Sequence, residues 1–180
     1  MLIRAGSLDR ALFSRVAEGR TPALDRILPR LSWAGNHSGI WIACAGALAA
    51  FGGASGRRAA LRGYGSIAVT SGLVNLGVKR AVRRPRPELQ LVPEARRMRR
   101  QPVTTSFPSG HAASATAFAT GVAVERPGVG LALAPLAAAV AYSRVYVGVH
   151  YPGDVGAGAV IGIAVAVGLR QVGRSSRQPS

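Results

Sequence analysis

The sequence predicts an all-α fold, a polytopic membrane helix bundle of about five transmembrane helices preceded by N-terminal amphipathic interfacial helices. Three observations predict it. Hydrophobic residues make up 48% of the 180, and mean hydropathy is +0.22 despite a formal charge of +16. Four stretches (38–56, 63–78, 127–143 and 155–169) carry no charge, and a fifth, 101–124, has only His111 as an ionisable group. The arginines fall between these stretches. A bilayer core of roughly 30 Å needs about 20 apolar residues in a helix, range roughly 17–25, and the runs sit at or just under that length. Such a basic chain alone would suggest nucleic acid or an anionic surface as partner. The uncharged runs turn that expectation toward membrane lipids and away from nucleic acid.

Residues 1–35 form the first segment. Leu8, Leu12, Phe13 and Val16 recur at helical spacing, as do Leu24, Ile27, Leu28 and Leu31, with arginines 10, 15, 20, 26 and 30 between them. Pro22 and Pro29 are expected to break the pattern into short pieces. This suits helices lying on the membrane surface. Arg4, Asp9 and Arg10 interrupt any early apolar core, so no signal peptide is expected.

The second segment, 36–170, is expected to be the transmembrane catalytic domain. Its first span runs over 38–56, with Trp33 and Trp41 as interfacial anchors and His37 at the interface. Cys44, the only cysteine, lies in this apolar run and reads as a small buried hydrophobe. A turn holding Arg57, Arg58 and Arg62 leads to a second span ending near Val78. The longest polar region follows, 79–106, with four prolines and the basic run ARRMRR at 95–100. A third helix is expected over 109–124, a fourth over 127–144, and a fifth from the end of a 145–154 loop to about Leu169. Gly158 and Gly162 form a small-xxx-small pair suited to close helix contact. The polar tail, 171–180, is expected to be disordered. In this topology the third and fourth helices make a hairpin, which returns the loops 79–108 and 144–154 to one face.

Three stretches carry chemistry. Lys79 is the only lysine among 23 cations, a compact ammonium where the chain otherwise uses arginine forks. Arg86 stands between Pro85 and Pro87, which restrict its backbone. Arg80, Arg83 and Arg84 read as interfacial charge facing lipid phosphates. At 108–111 the chain reads PSGH. Ser109 is a good N-cap, free N–H groups at a helix start bind phosphate, and Gly110 permits close backbone approach. His111 then falls in the first turn. An ordinary capped helix would look the same in isolation. At 143–154 the chain reads SRVYVGVHYPGD, with Arg144, His150 and Asp154 inside twelve residues. Asp154 is the only acid after Glu125. A phosphate-binding cation beside an imidazole with its own carboxylate suits chemistry on an anion.

Together, K-x6-RP at 79–87, PSGH at 108–111 and SR-x5-H-x3-D at 143–154 resemble the three signature motifs of the type 2 phosphatidic acid phosphatase (PAP2) superfamily. The family includes membrane lipid phosphatases and soluble vanadium haloperoxidases. The likeness covers roughly 38–170. The resemblance implies that Lys79, Arg86, Ser109, Gly110 and Arg144 hold the phosphate oxygens. It implies that His150 attacks phosphorus to give a phosphohistidine, that Asp154 orients and stabilises its imidazole, and that His111 protonates the leaving alkoxide and then activates water. No metal or other cofactor is implied, since lysine and arginine stand in its place. His150 neutral and His111 charged at one pH would give a bell-shaped pH–rate profile.

The substrate implied is a lipid phosphate: phosphatidic acid, phosphatidylglycerol phosphate, a polyprenyl phosphate or diphosphate, or a prenyl-linked sugar phosphate. A phosphotransferase would share the first half-reaction. A non-catalytic basic protein that binds anionic lipid or nucleic acid would explain the charge but not the placing of His111, His150 and Asp154. The resemblance further implies a multi-pass protein of the bacterial plasma membrane with its site facing outward. Counting cations alone points the other way, because 16 of the 23 fall on the active-site side of this topology.

Overall fold

In the computed structural model, which describes residues 2–19, 21–98 and 100–175, every regular element is helical. The elements are α1 (Leu2–Glu18), α2 (Pro22–Ala34), α3 (Gly39–Phe51), α4 (Gly53–Gly72), the single turn α5 (Lys79–Ala81), α6 (Gly110–Glu125), α7 (Pro127–Tyr146) and α8 (Pro152–Ser175). Between α4 and α5 the chain winds as a π-helix over Leu73–Val78, so α4 to α5 is one continuous rod with a widened turn.

α6 is the axis of the bundle. It packs against α4, α7 and α8, and its residues are apolar all round, as a helix enclosed on every side must be. Phe118 of α6 lies 5.4 Å from Trp41 of α3, within a core that includes Ile67, Val122 and Val140. Trp41, expected at the interface, is 1% exposed and belongs to this core. Gly158 and Gly162 let α8 lie directly on α6: a Cβ at Gly158 would run into the Ser109 carbonyl, and one at Gly162 into the Ala113 carbonyl. α7 and α8 are long and apolar enough to cross a bilayer. Only 17% of the α8 span is buried, which a core helix of a soluble protein would not tolerate. Phe51, Leu61, Leu76, Leu131 and Val160 likewise point outward.

Several expectations are corrected. The first span ends at Phe51, not 56, because the glycine pair Gly52–Gly53 turns the chain there, Gly53 with φ of +62°. α3 has 13 residues and is therefore only about 20 Å long. Arg57, Arg58 and Arg62 consequently lie inside α4 instead of in a turn. Arg62 and Arg58 reach Glu125 at the end of α6, at 2.9 and 3.6 Å. Pro22 opens α2, but Pro29 does not interrupt it, since burial of Leu28 and Ser32 and packing on α7 hold the helix across the missing N–H. α7 runs two residues past Arg144, and α8 starts at Pro152, so Asp154 belongs to a first helical turn and not to a loop. α8 continues to Ser175, five residues into the expected tail; residues 176–180 lie outside those described.

The basic run at 95–100 is partly interior. Arg96 is completely buried and donates to Asp25 at 2.5 Å and to the carbonyls of Val16, Ala17 and Gly19, with its guanidinium 4.3 Å from the Tyr146 ring. It fastens the long 82–109 connection to α1, α2 and α7.

Candidate active site

The site begins with two helix starts that meet. Ser109 caps α6, its hydroxyl accepting from the Ala112 N–H at 3.4 Å, while its own N–H donates to the Asp154 carbonyl at 2.9 Å. The second and third motifs are thus bonded to each other through the backbone. Asp154, fully buried, sits in the first turn of α8, where the helix N-terminus favours a carboxylate. Its Oδ2 accepts the Tyr151 N–H at 2.9 Å and faces His150 Nδ1 at 3.7 Å. That last separation exceeds a hydrogen bond, and His150 Nδ1 has no other partner among the described residues.

The first motif joins from the other side. Arg86 donates from Nη1 to the Val149 carbonyl at 2.6 Å, and from Nε and Nη2 to Thr104 and Thr105. Four of its five N–H groups are then used among the described residues, leaving one on Nη1, the nitrogen beside the His150 loop. Arg144, 1% exposed, is held by Nη1 on the Ser32 hydroxyl at 2.5 Å, and its buried Nε has no partner among the described residues. Lys79 Nζ lies 3.9 Å from where a Cβ on Gly110 would stand. Arg144, His150, Lys79 and Arg86 are all within electrostatic reach of the His111 ring. All eight residues expected at the site therefore gather at one end of the bundle.

Burial pushes the His150 imidazole from its ordinary value down to about 4; Asp154 opposes that shift, and Arg144 and Arg86 add to it. At neutral pH the ring is uncharged, with a lone pair to give. Burial also lowers Arg86, with Asp154 as partial offset.

Sequence reasoning missed three residues here. Arg84, read as facing lipid, bridges Asp154 Oδ1 at 2.7 Å and Asp9 Oδ2 at 2.6 Å and lies 4.4 Å over the Tyr151 ring. Burial works against its charge, but the bonds to Asp9 and the charge of Asp154 more than offset this and raise its pKa. Asp9 also accepts the Gly153 N–H at 2.7 Å, so α1 clamps the start of α8. Asn36 Oδ1 contacts His111 Nε2 at 3.0 Å. The one available signal was scarcity: Asp9 is among only seven acids in a chain of 23 cations. His37, expected at the interface, lines a cavity of about 210 Å³ that also touches Lys79, Gly110 and His111. His150, 3% exposed, is not on that cavity's wall.

Residues 60–177 match the model of the PAP2 superfamily. The chain belongs to that superfamily. Its fold is that of the membrane PAP2 phosphatases. The crystal structure of Aquifex aeolicus LpxE superposes with a TM-score of 0.71 at 28% identity, covering 91% of this PAP2 chain and 95% of that one. The transmembrane PAP2 type phosphatidylglycerolphosphate phosphatase from Bacillus subtilis superposes with a TM-score of 0.72, covering 98% and 90%; at 20% identity it speaks to the fold alone. A decaprenylphosphoryl-5-phosphoribose phosphatase of Mycolicibacterium smegmatis is 40% identical over 127 residues, 69% of this chain and 66% of that protein. Its namesake from Mycobacterium tuberculosis is 39% identical over 98 residues, 53% and 51%. The chain thus spans just under two thirds, or about half, of the length of these curated relatives.

Proposed function

We propose that this PAP2 chain is a membrane-embedded, metal-independent phosphatase that hydrolyses a lipid phosphate through a phosphohistidine. The observation that carries the reading is the junction of Lys79, Arg86 and Arg144 with both histidines at the helix starts of α6 and α8. Buried cations with unused N–H groups suit a phosphate, which brings the charge they lack.

His150 donates Nδ1–H toward Asp154 and offers its Nε2 lone pair to phosphorus. The N–P bond forms as the P–O bond to the lipid breaks, and His111 passes its proton to the departing oxygen. The dianionic phosphate supplies the negative neighbour that an imidazolium needs among three cations. In the second half, His111 takes a proton from water, whose oxygen attacks phosphorus. Inorganic phosphate leaves and His150 is restored. Lys79, Arg86, Arg144, the Ser109 hydroxyl and the Gly110 N–H neutralise the charge spreading over the equatorial oxygens.

We place α4, α6, α7 and α8 across the plasma membrane, with the shorter α3 packed beside them within it and the site facing outward. The names of the mycobacterial relatives favour a prenyl-linked sugar phosphate over the other substrates. The test is phosphate release by the purified protein from a panel of lipid phosphates, with vanadate as inhibitor and acid-labile phosphoprotein trapped on rapid quench. Release with no trapped phosphoprotein and no vanadate inhibition would refute the mechanism. Labelling of the C-terminus from outside intact cells would refute the orientation.

A further inference from the structure

The cavity beside His111 is the one feature of the site that phosphate binding does not account for. Its wall includes Thr70, Ser71, Asn75 and Ser114 together with Lys79 and His111. Such a concentration of hydroxyl and amide groups is unexpected between helices otherwise packed by Ala, Gly and Val. Thr70 is 0% exposed, and its Oγ1 has no partner among the described residues. A helical Thr or Ser ordinarily returns its hydroxyl to a carbonyl one turn back. Ser66, one turn earlier on α4, does so to Arg62 at 2.8 Å, and Thr116 does so on α6. The unpaired Thr70 hydroxyl therefore stands out within its own helix. The π-helical stretch just after it lies between Thr70 and Lys79, and wide turns of this kind recur at functional sites.

The position of this cavity follows from the reaction. In-line displacement sets the nucleophile and the leaving oxygen on opposite sides of phosphorus. His150 is off the cavity wall and His111 is on it. The group beyond His111 is therefore what departs with the alkoxide.

Resting on the phosphatase reading above, we propose that this cavity is a leaving-group subsite. It takes a headgroup with free hydroxyls between the scissile phosphate and the lipid, a phosphosugar or phosphoglycerol, in preference to a phosphate esterified directly to an apolar chain. Thr70 and Ser114 hydrogen-bond those hydroxyls, and Asn75 closes the open side. A site built to bond a substrate hydroxyl rejects the analogue lacking it, because its own buried polar groups are then left unpaired.

The experiment uses the full-length protein in detergent micelles with phosphatidylglycerol phosphate, its analogue in which the free glycerol hydroxyl is replaced by hydrogen, and phosphatidate, all with matched acyl chains. The unaltered protein should favour the hydroxylated headgroup over the deoxy analogue by about tenfold in kcat/KM, the scale of one hydrogen bond. Thr70→Val should abolish most of that preference, and Thr70→Ser, which keeps the hydroxyl, should retain it. Phosphate release from all three lipids without discrimination, or a preference unchanged in Thr70→Val, overturns this inference alone. No release from any of these lipids, nor from a prenyl-linked sugar phosphate run beside them, overturns the phosphatase reading, and the inference with it.

Discussion

In the middle of the bundle α6 meets α8 through bare glycine, whereas at the loop end the same two helices are joined by a backbone hydrogen bond and ringed by charge. Gly158 and Gly162 bring the backbones together, and between them the Thr116 hydroxyl of α6 donates to the Ala159 carbonyl of α8 at 3.0 Å. Four residues before Gly158, Asp154 is gripped by Arg84, which Asp9 of α1 grips in turn. In lipid there is no hydrophobic force between apolar helices, so close van der Waals fit must hold the middle. That fit sets distance, with the Thr116–Ala159 bond as a single neutral tie against sliding. The loop end needs atoms within a few tenths of an ångström, and directional charge-assisted bonds supply this. The bundle is thus a lightly tied shaft carrying a keyed head.

The largest test of the head is His150→Ala. Phosphate release should fall to the background rate and phosphoprotein should vanish while thermal stability in detergent is retained; near-normal turnover would sink the nucleophile assignment. His111→Ala should lower turnover of an alkyl phosphate by roughly 10²–10⁴-fold. The loss should be much smaller with p-nitrophenyl phosphate, whose leaving group departs without a proton, and equal losses on both would remove His111 as general acid.

Arg84→Met separates the head from its key. Removing one partner of a buried ion pair costs about 3–5 kcal/mol, and the quarter-exposed Arg84 side chain places the effect at the low end. The expected outcome is a lower unfolding midpoint together with reduced turnover. Turnover unchanged at full occupancy would relegate the bridge to surface decoration. In the shaft, Gly162→Val should cost about 1–3 kcal/mol by overpacking, with no change in pH profile. A shifted profile in that variant would show that shaft and head are coupled.

The smallest effect concerns protons. His150 is held at about 4 by burial, so kcat/KM should stay level as pH falls through the usual histidine range and decline only near pH 4, when the ring takes a proton. Asp154→Asn removes a group that favours the protonated ring and should move that limb lower still in whatever activity remains. An acid limb at the ordinary histidine value would mean a solvated His150.

The helical class, the membrane character and the three segments of the site were legible in the sequence, because hydropathy, helix caps and motif spacing are local properties written in consecutive residues. Lys79, Arg86, Ser109, Gly110, His111, Arg144, His150 and Asp154 were named from the resemblance of three short motifs to the PAP2 signatures, and the fold brings them to one end of the bundle. The partners of charges could not be read this way. Arg84 finds Asp9 across 75 residues and Asp154 across 70, and Arg96 finds Asp25 across 71. Nothing in the local pattern separates these two arginines from Arg80 or Arg100. Likewise Gly52–Gly53 reads as one more small pair in an apolar run until α3 has to fold back on α4. Which cation becomes a structural bolt is decided by what the folded chain puts beside it, since a buried charge persists only where an opposite charge or a set of carbonyls meets it.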